Sequence, residues 1–347
     1  MERIISAGNK IGNRESKVSN DLNYFRWVQQ NKGNIKIPII SVAIEGWELA
    51  SIAFANEHRS YLRRQQWRSF FGALLNVTSS SEWFRILKSP EFKIILQYRP
   101  KLYFKIFNVY MSIHWDKKQK IKVILDTYRF LMGKGDLLMN LLRQNDGFEM
   151  VSFSFYEKTS GVLVLRYDHR YRKEGELVFS FECDALGGRI IDAAFSFEKN
   201  EEDNWVCRIG CVQGHSKTEE YYAKIAQKMM HGLRPKSFII FAIQEFSRLL
   251  GVSAIYGAGD SIQAYRRKHA IHIPWRHSIY FNYNSIWSES GGTPDEFGWY
   301  KLPLVPARKE IHEIKTTKRA QYARRYQMLD DIVMKFSERV NYSIGNV

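Results

Sequence analysis

Apolar residues recur at helical spacing through the first part of the chain and at alternate positions through its middle, and the change falls near Phe148. Up to about Gly147, aromatic and aliphatic side chains return every three to four residues in 61–77, 81–87, 91–108 and 115–132, which predicts helices. From Phe148 onward, alternation in 150–156, 162–167, 176–183, 189–197 and 205–212 predicts five strands joined mostly by hairpin-length turns. Helices are then expected over 218–230 and 236–250, a strand over 252–256, a short helix near 261–268, and two more strands over 278–283 and 299–304. The tail 308–340 reads as one charged helix. The expected fold class is α+β: a helical N-terminal region, 1–147, a mixed but mostly antiparallel sheet with flanking helices, 148–305, and a basic C-terminal helix, 306–347.

The stretch 205–260 carries the most information. Trp205, Cys207, Ile209 and Cys211 fall on one side of an extended segment, with Val206, Arg208, Gly210 and Val212 on the other, and the strand stops at Gln213-Gly214. Further on, His231-Gly232-Leu233-Arg234-Pro235-Lys236-Ser237 opens a run that is apolar on nearly every side except Gln244, Glu245 and Arg248. Such a helix has to be covered by other elements. Pro235 suits a first helical position, so the free N–H groups of the opening turn, beside Arg234, Lys236 and Ser237, can hold a phosphate.

At 347 residues and 45% hydrophobic content the chain can bury a large core, and this composition excludes a disordered chain. The formal charge of +16 implies a surface that attracts acidic partners: an acyl carrier protein, an anionic membrane surface or RNA. Dispersed lysines would mean only a solvated surface. Here the cations cluster, with Arg59, Arg63, Arg64 and Arg68 in one segment and Arg308, Lys309, Lys315, Lys318, Arg319, Arg324 and Arg325 in another. The longest apolar stretch, 37–55, is interrupted by Pro38, Glu45, Gly46 and Glu48, which makes it a poor membrane span. Residues 1–20 hold no signal-peptide core, so the expected location is the cytoplasm or the periphery of the inner membrane. Three cysteines, Cys183, Cys207 and Cys211, give no disulfide framework, and with His215 as the one obvious neighbouring ligand no metal site is expected.

An antiparallel meander, a helix packed on it, a strand adding in parallel, another helix and a closing hairpin resemble the acyl-CoA N-acyltransferase (GNAT) fold. The resemblance implies a pantetheine wedge between splayed strands at Cys211 and Ser253 and a diphosphate near Gly232 to Ser237. Cofactor-binding residues would then be Cys211, Gly232, Arg234, Lys236 and Ser237, and the donor an acyl-CoA or an acyl carrier protein. Two features depart from that family. Its Gln/Arg-x-x-Gly-x-Gly/Ala loop is missing directly after the strand, and the helix over 218–230 separates strand from anion turn. An acyl carrier donor needs fewer nucleotide contacts. In literal segments the chain resembles the VirK/YbjX-like family of proteobacterial proteins, through Gly187-Gly188-Arg189-Ile190-Ile191-Asp192, Gly210-Cys211-Val212-Gln213-Gly214, His231-Gly232-Leu233-Arg234-Pro235-Lys236 and Asp295-Glu296-Phe297-Gly298-Trp299-Tyr300. That resemblance implies a setting in virulence, antimicrobial-peptide resistance or cell-envelope remodelling.

Acyl transfer requires a base for the incoming amine or hydroxyl, an acid for the leaving thiolate and donors for the oxyanion. Asp192, opposite in facing to Ile191 and Ala193, can act as base or orient a histidine, although a strand aspartate more often faces solvent. His272 and His277 flank Ile273-Pro274-Trp275-Arg276, where an imidazole titrates near neutrality. Tyr265 follows Gly257-Ala258-Gly259 at the place where a GNAT-like enzyme keeps its general acid. Each of these residue types is more often a packing or loop residue than a catalyst. Asp260 reads as the cap of the helix that follows it. Trp275, Tyr280, Phe281, Tyr283, Trp287, Phe297, Trp299 and Tyr300 offer an acceptor or acyl groove, and interleaved with Arg266, Arg267, Arg276 and Lys301 they also suit RNA. No Gly-x-Ser-x-Gly elbow, Walker-type lysine loop or His-Glu-x-x-His helix occurs, which removes support from hydrolase and ATPase readings. Two readings remain: a GNAT-like transferase acting on envelope material, and a noncatalytic basic protein that binds RNA or a membrane partner to regulate virulence or envelope expression.

Overall fold

The computed structural model describes residues 39–144, 146–155, 159–214, 219–264 and 282–344. Helices come first. α1 (Ile39–Ala53) turns Val42, Ala43, Gly46, Ala50 and Ala53 inward against α2 (Arg59–Leu74). α3 (Val77–Leu87) follows, and α4 (Pro90–Tyr98) starts on a proline at its first turn. The periodicity of 91–108 suggests one helix, but the chain breaks at Arg99 (φ −130°, ψ 60°) and continues through Pro100–Phe107 as a 3-10 helix. Pro100 explains the break, because it removes a donor and pushes the residue before it out of helical geometry. Asp116 then caps α5 (Lys117–Met132) by accepting from the Gln119 N–H, and α6 (Leu137–Arg143) completes the layer.

Eight strands form one sheet: β1 (Phe148–Phe155), β2 (Thr159–Arg166), β3 (Leu177–Cys183), β4 (Gly188–Lys199), β5 (Trp205–Gly214), β6 (Ala254–Ala258), β7 (Thr293–Pro294) and β8 (Trp299–Leu302). Their spatial order is β1-β2-β3-β4-β5-β6-β8-β7, and every pairing is antiparallel except β5 with β6. The parallel pair needs a crossover, supplied by α7 (Glu219–Met229) and α8 (Pro235–Leu249). α9 (Tyr283–Glu289) precedes β7, and α10 (Arg319–Ile344) is the last of the described elements. This is the α+β layout expected from the alternating periodicity, with N-terminal helices followed by a mostly antiparallel mixed sheet and flanking helices.

The two faces of the sheet are covered differently. On one, Phe238 of α8 packs on Phe153 and Phe181, while Phe246 packs on Phe179, Phe195 and Phe336 of α10. Met328, Leu329, Ile332, Phe336 and Val340 give α10 a buried stripe at helical spacing, so the basic helix contributes to the core. Against the other face lie the N-terminal layer and the 167–176 connection, with Tyr110 bonded to Ser196 and Tyr171 to Asp192. One hydrophobic cluster runs from Val42 to Val340 through helices and sheet alike.

Candidate active site at the split between β5 and β6

The register of β5 against β4 jumps at one residue: Ile209 lies opposite Phe195 and Cys211 opposite Ala194, which leaves Gly210 as a bulge. A bulge reverses the phase of alternation, and the expectation that Cys207 and Cys211 share a side is corrected on this account. Cys207 points to the α8 face, where its thiol meets Ser247 and burial pushes it up to about 12. Cys211 points the other way, close to Glu174 and Asp192, and burial holds its thiol well above the ordinary value. Arg208, Cys211 and Gln213 thus share the face that carries Ser196, Ala194 and Asp192 opposite them. Glycine is required at the bulge because the 172–175 connection lies directly on it, so that any Cβ at Gly210 would collide with the Glu174 main chain.

Immediately after the bulge the sheet splits. β6 pairs with β5 only from Val206 to Ile209, against Ala254 to Gly257, and β5 then runs on through 210–214 with no strand beside that edge among the described residues. β6 turns instead toward β8, where Gly259 N–H donates to Gly298. Tyr283, fully buried at the start of α9, stands across the gap, with Gln213 Nε2 donating to its hydroxyl at 3.5 Å. Ser253 lies at the other end of the pair, bonded through its N–H and its hydroxyl to the Trp205 carbonyl. The split is therefore bordered by Cys211 on one side and by the Gly257-Ala258 end of β6 on the other, not by Ser253. A strand edge with no neighbouring strand offers main-chain donors and acceptors to an extended ligand that carries amides, and here its residues Gly210, Cys211 and Val212 are buried while Gln213 and Gly214 reach the surface.

The turn before α8 has left-handed backbone at His231 (φ 52°) and Gly232 (φ 80°). Arg234 is the N-cap residue and Pro235 opens the helix, with no side chain capping the first turn. The Arg234 guanidinium is exposed and meets Glu289 at 2.7 Å. The C-terminal helix also converges here, since Arg325 bonds to the His231 carbonyl and sits with Gln321 against Gly232. Partial burial, Arg324 and Arg325 hold His231 below the ordinary imidazole value.

Asp192 is fully buried: it accepts from the Tyr171 hydroxyl at 3.0 Å, with Arg170 and Arg189 each at 3.7 Å. The solvent-facing alternative for this strand aspartate does not hold. Enclosed in this way, Asp192 orients Tyr171 and the two arginines. Glu174, half-buried above the bulge, has its carboxyl raised by burial, against the pull of Lys173, Arg172 and Lys105. Behind it lies a buried pair, Lys105 with Glu176 at 2.5 Å, extended by the Tyr128 hydroxyl on Glu176 at 2.9 Å. Burial holds the Lys105 ammonium down despite Glu176. Sequence patterning missed Glu174, Lys105 and Glu176, because a Lys-Glu-Gly-Glu turn looks like any solvated loop; the glycine at a strand entrance was the only sign. Tyr265, His272 and His277, with Trp275, Tyr280 and Phe281, lie outside the described residues. From Tyr265 on, the helix expected to start at Asp260 lies outside the described residues, and the Asp260 carboxylate accepts from the Tyr283 and Asn284 N–H groups at the start of α9, where Asn282 is the N-cap. Among the described residues no group of three or more His, Cys, Asp or Glu could hold a metal ion, and no helix is long and apolar enough to cross a membrane.

Comparison with known proteins adds relatives along most of the chain. A family model described as protein of unknown function (DUF535) matches residues 58–338. The Escherichia coli (strain K12) protein YbjX is 28% identical over 296 residues, 79% of this chain and 82% of that protein. A Haemophilus influenzae protein is 27% identical over 195 residues, 56% of this chain and 58% of that one. Among solved structures, a cAMP-binding acyltransferase from Mycobacterium smegmatis aligns with a TM-score of 0.30 and 10% identity, over 67% of this chain and 64% of that chain.

Proposed function

The chain belongs to the family described as protein of unknown function (DUF535), and we propose that it moves an acyl or aminoacyl group from a thioester donor onto an amine or hydroxyl of envelope material. The matched span takes in the helical layer from α2 onward, the sheet and most of α10, so the reading uses a site that all three build. One observation carries it: the glycine bulge at Gly210 sits at the apex of a split between two parallel strands, the Glu174 main chain lies on it, and the half-buried Glu174 carboxyl is close enough to Cys211 to raise its thiol.

In this scheme the amide-bearing arm of an acyl-CoA or acyl carrier protein lies along the β5 edge 210–214, and its phosphate reaches the turn at Gly232, Arg234, Lys236 and Ser237. Main-chain N–H groups at the bulge polarise the thioester carbonyl. The acceptor nitrogen or oxygen attacks that carbon, its proton passes to Glu174, the C–S bond breaks and the departing thiolate takes up that proton, which restores the Glu174 carboxylate. A carboxyl raised by burial is a better proton acceptor near neutrality than an ordinary glutamate. The side chains of Lys318, in the turn just before α10, and of Arg324, exposed on α10, have no ion pair among the described residues, and these cations suit an acidic carrier protein. A peripheral inner-membrane site and a part in virulence or antimicrobial-peptide resistance go with the VirK/YbjX resemblance.

The test is thiol release from a panel of acyl-CoA and acyl carrier protein thioesters, with the acylated product followed by mass spectrometry. The Glu174→Gln variant is expected to lose about 100-fold in kcat while keeping its melting temperature. Absence of thiol release with every donor, together with no stabilisation of the protein by any of them, would overturn the reading.

A further inference from the structure

A cavity of about 720 Å³ opens on the Arg208 face of the sheet, one residue short of the last β5–β6 pair. It lies among Ser112, His114, Trp115, Arg208, Phe297 and Trp299, with Asp295 and Glu296 on the rim. That volume is in the range of small-molecule sites.

Arg208 is held from three sides. Its Nε donates to Glu198, and its guanidinium lies 4.7 Å from the Tyr256 ring centre and 4.5 Å from that of Trp299. Glu198 is itself fixed by Gln119 at 2.8 Å and approached by Lys122 at 3.6 Å. The two terminal nitrogens of Arg208 have no hydrogen-bond partner among the described residues. A guanidinium locked at Nε, with its outer N–H groups facing a cavity, presents the planar fork that grips a carboxylate. Next to it, the half-buried Trp115 stacks on the buried Trp299 with ring centres 5.4 Å apart, so Trp115, backed by Trp299, is the flat apolar wall beside the fork.

We infer that this cavity binds a small compound with one carboxylate on a planar apolar body, the carboxylate on Arg208 and the body against Trp115. A dianionic phosphate fits less well, because Asp295 and Glu296 share the rim. The same acids would accommodate an ammonium group, which makes an amine-bearing carboxylate a suitable acceptor for the transfer proposed above. That role rests on the transfer reading, whereas binding does not.

Calorimetry on the full chain without any thioester separates the two, with indole-3-acetate and its neutral analogue indole-3-acetamide as probes. The acid is expected to bind at least about tenfold tighter than the amide, because one charge-assisted pair distinguishes them. Arg208→Gln should bring that ratio to about one, and Trp115→Leu should weaken both probes while preserving it. Should Arg208→Gln fail to fold, Arg208→Lys keeps the charge, loses the fork and should still reduce the ratio. Equal binding of acid and amide by the parent, no binding of either, or a ratio that survives at Arg208 variants overturns the assignment. Carboxylate binding without detectable transfer would remove the acceptor role and leave the site standing.

Discussion

Arg325 of α10 donates through Nε and Nη2 to the main-chain carbonyl of His231, at 3.1 and 2.9 Å, and ties the C-terminal helix to the turn that starts α8. The basic tail and the candidate anion turn are thus one structure. Charge counting along the tail treats its cations as equivalent, yet Arg308 pairs with Asp330 and Arg319 bonds to the Ile314 carbonyl, while Lys318 and Arg324 make no such contact among the described residues.

Arg325→Gln should therefore cost about 2 kcal/mol of stability, the usual scale for hydrogen bonds to a charged group. Arg324→Gln, one residue away and exposed, should stay within about 0.5 kcal/mol of the parent. Urea titration of both variants checks this. Equal losses would mean that α10 is held by its buried stripe alone.

How far the sequence reaches is visible in the same region. Strands β1 to β5 follow from alternation, and α8 from an apolar run behind Pro235, because local periodicity and a start signal are written in neighbouring residues. The strand expected over 252–256 begins two residues later, at Ala254, since Val252 and Ser253 are used to leave α8 and anchor on Trp205. Tyr283, assigned by its pattern to a strand, opens α9, where Asn282 caps the helix and Asp260, 23 residues before Tyr283, accepts from the Tyr283 N–H. The bulge at Gly210 also leaves no local trace. It is imposed by the Glu174 main chain, which reaches β5 from the connection before β3, and with it goes the facing of Cys211 and Gln213.

The buried Lys105–Glu176 pair makes a second prediction. Lys105→Met strands a carboxylate among Tyr110, Tyr128 and Ser196, and should cost about 3 to 5 kcal/mol. Adding Glu176→Leu should recover part of that loss, because two matched apolar residues need no counter-charge. A double-mutant cycle in denaturant reads the coupling, and strict additivity would show that the two groups do not sense each other.

Acid sensitivity should come in part from His169. Burial, then the cations Arg172, Lys101 and Lys105, hold its imidazole down to about 4. In the unfolded chain the value is about 6.5. Above that pH both states keep the ring neutral, and it contributes no pH dependence. As pH falls from about 6.5 toward 4, the unfolded state takes up a proton that the folded state refuses, so stability declines across that window. His169→Gln removes this uptake, and its unfolding midpoint should fall less steeply between those values. Parallel midpoint curves for parent and variant would show that other groups cause the decline.

The bulge supplies the last prediction. At Gly210 an added methyl meets main-chain atoms of Glu174, which no rotamer change can move aside. Either the 172–175 connection lifts or the bulge irons out, and the second outcome would send Cys211 and Gln213 to the opposite face. Gly210→Ala should therefore lose about 3 kcal/mol, at the upper end of ordinary overpacking. Gly133→Ala is the control, since its nearest neighbour, the Phe130 carbonyl, would be 3.5 Å from the new methyl and its backbone is in a region any residue adopts. That variant should stay within about 1 kcal/mol of the parent. Cys211 gives an independent reading, because its buried thiol should resist a disulfide reagent in the parent and react in Gly210→Ala once its cover is displaced. If Gly210→Ala is as stable as Gly133→Ala and Cys211 stays unreactive, the connection is not locked onto the bulge, and the placement of Glu174 over the split is lost with it.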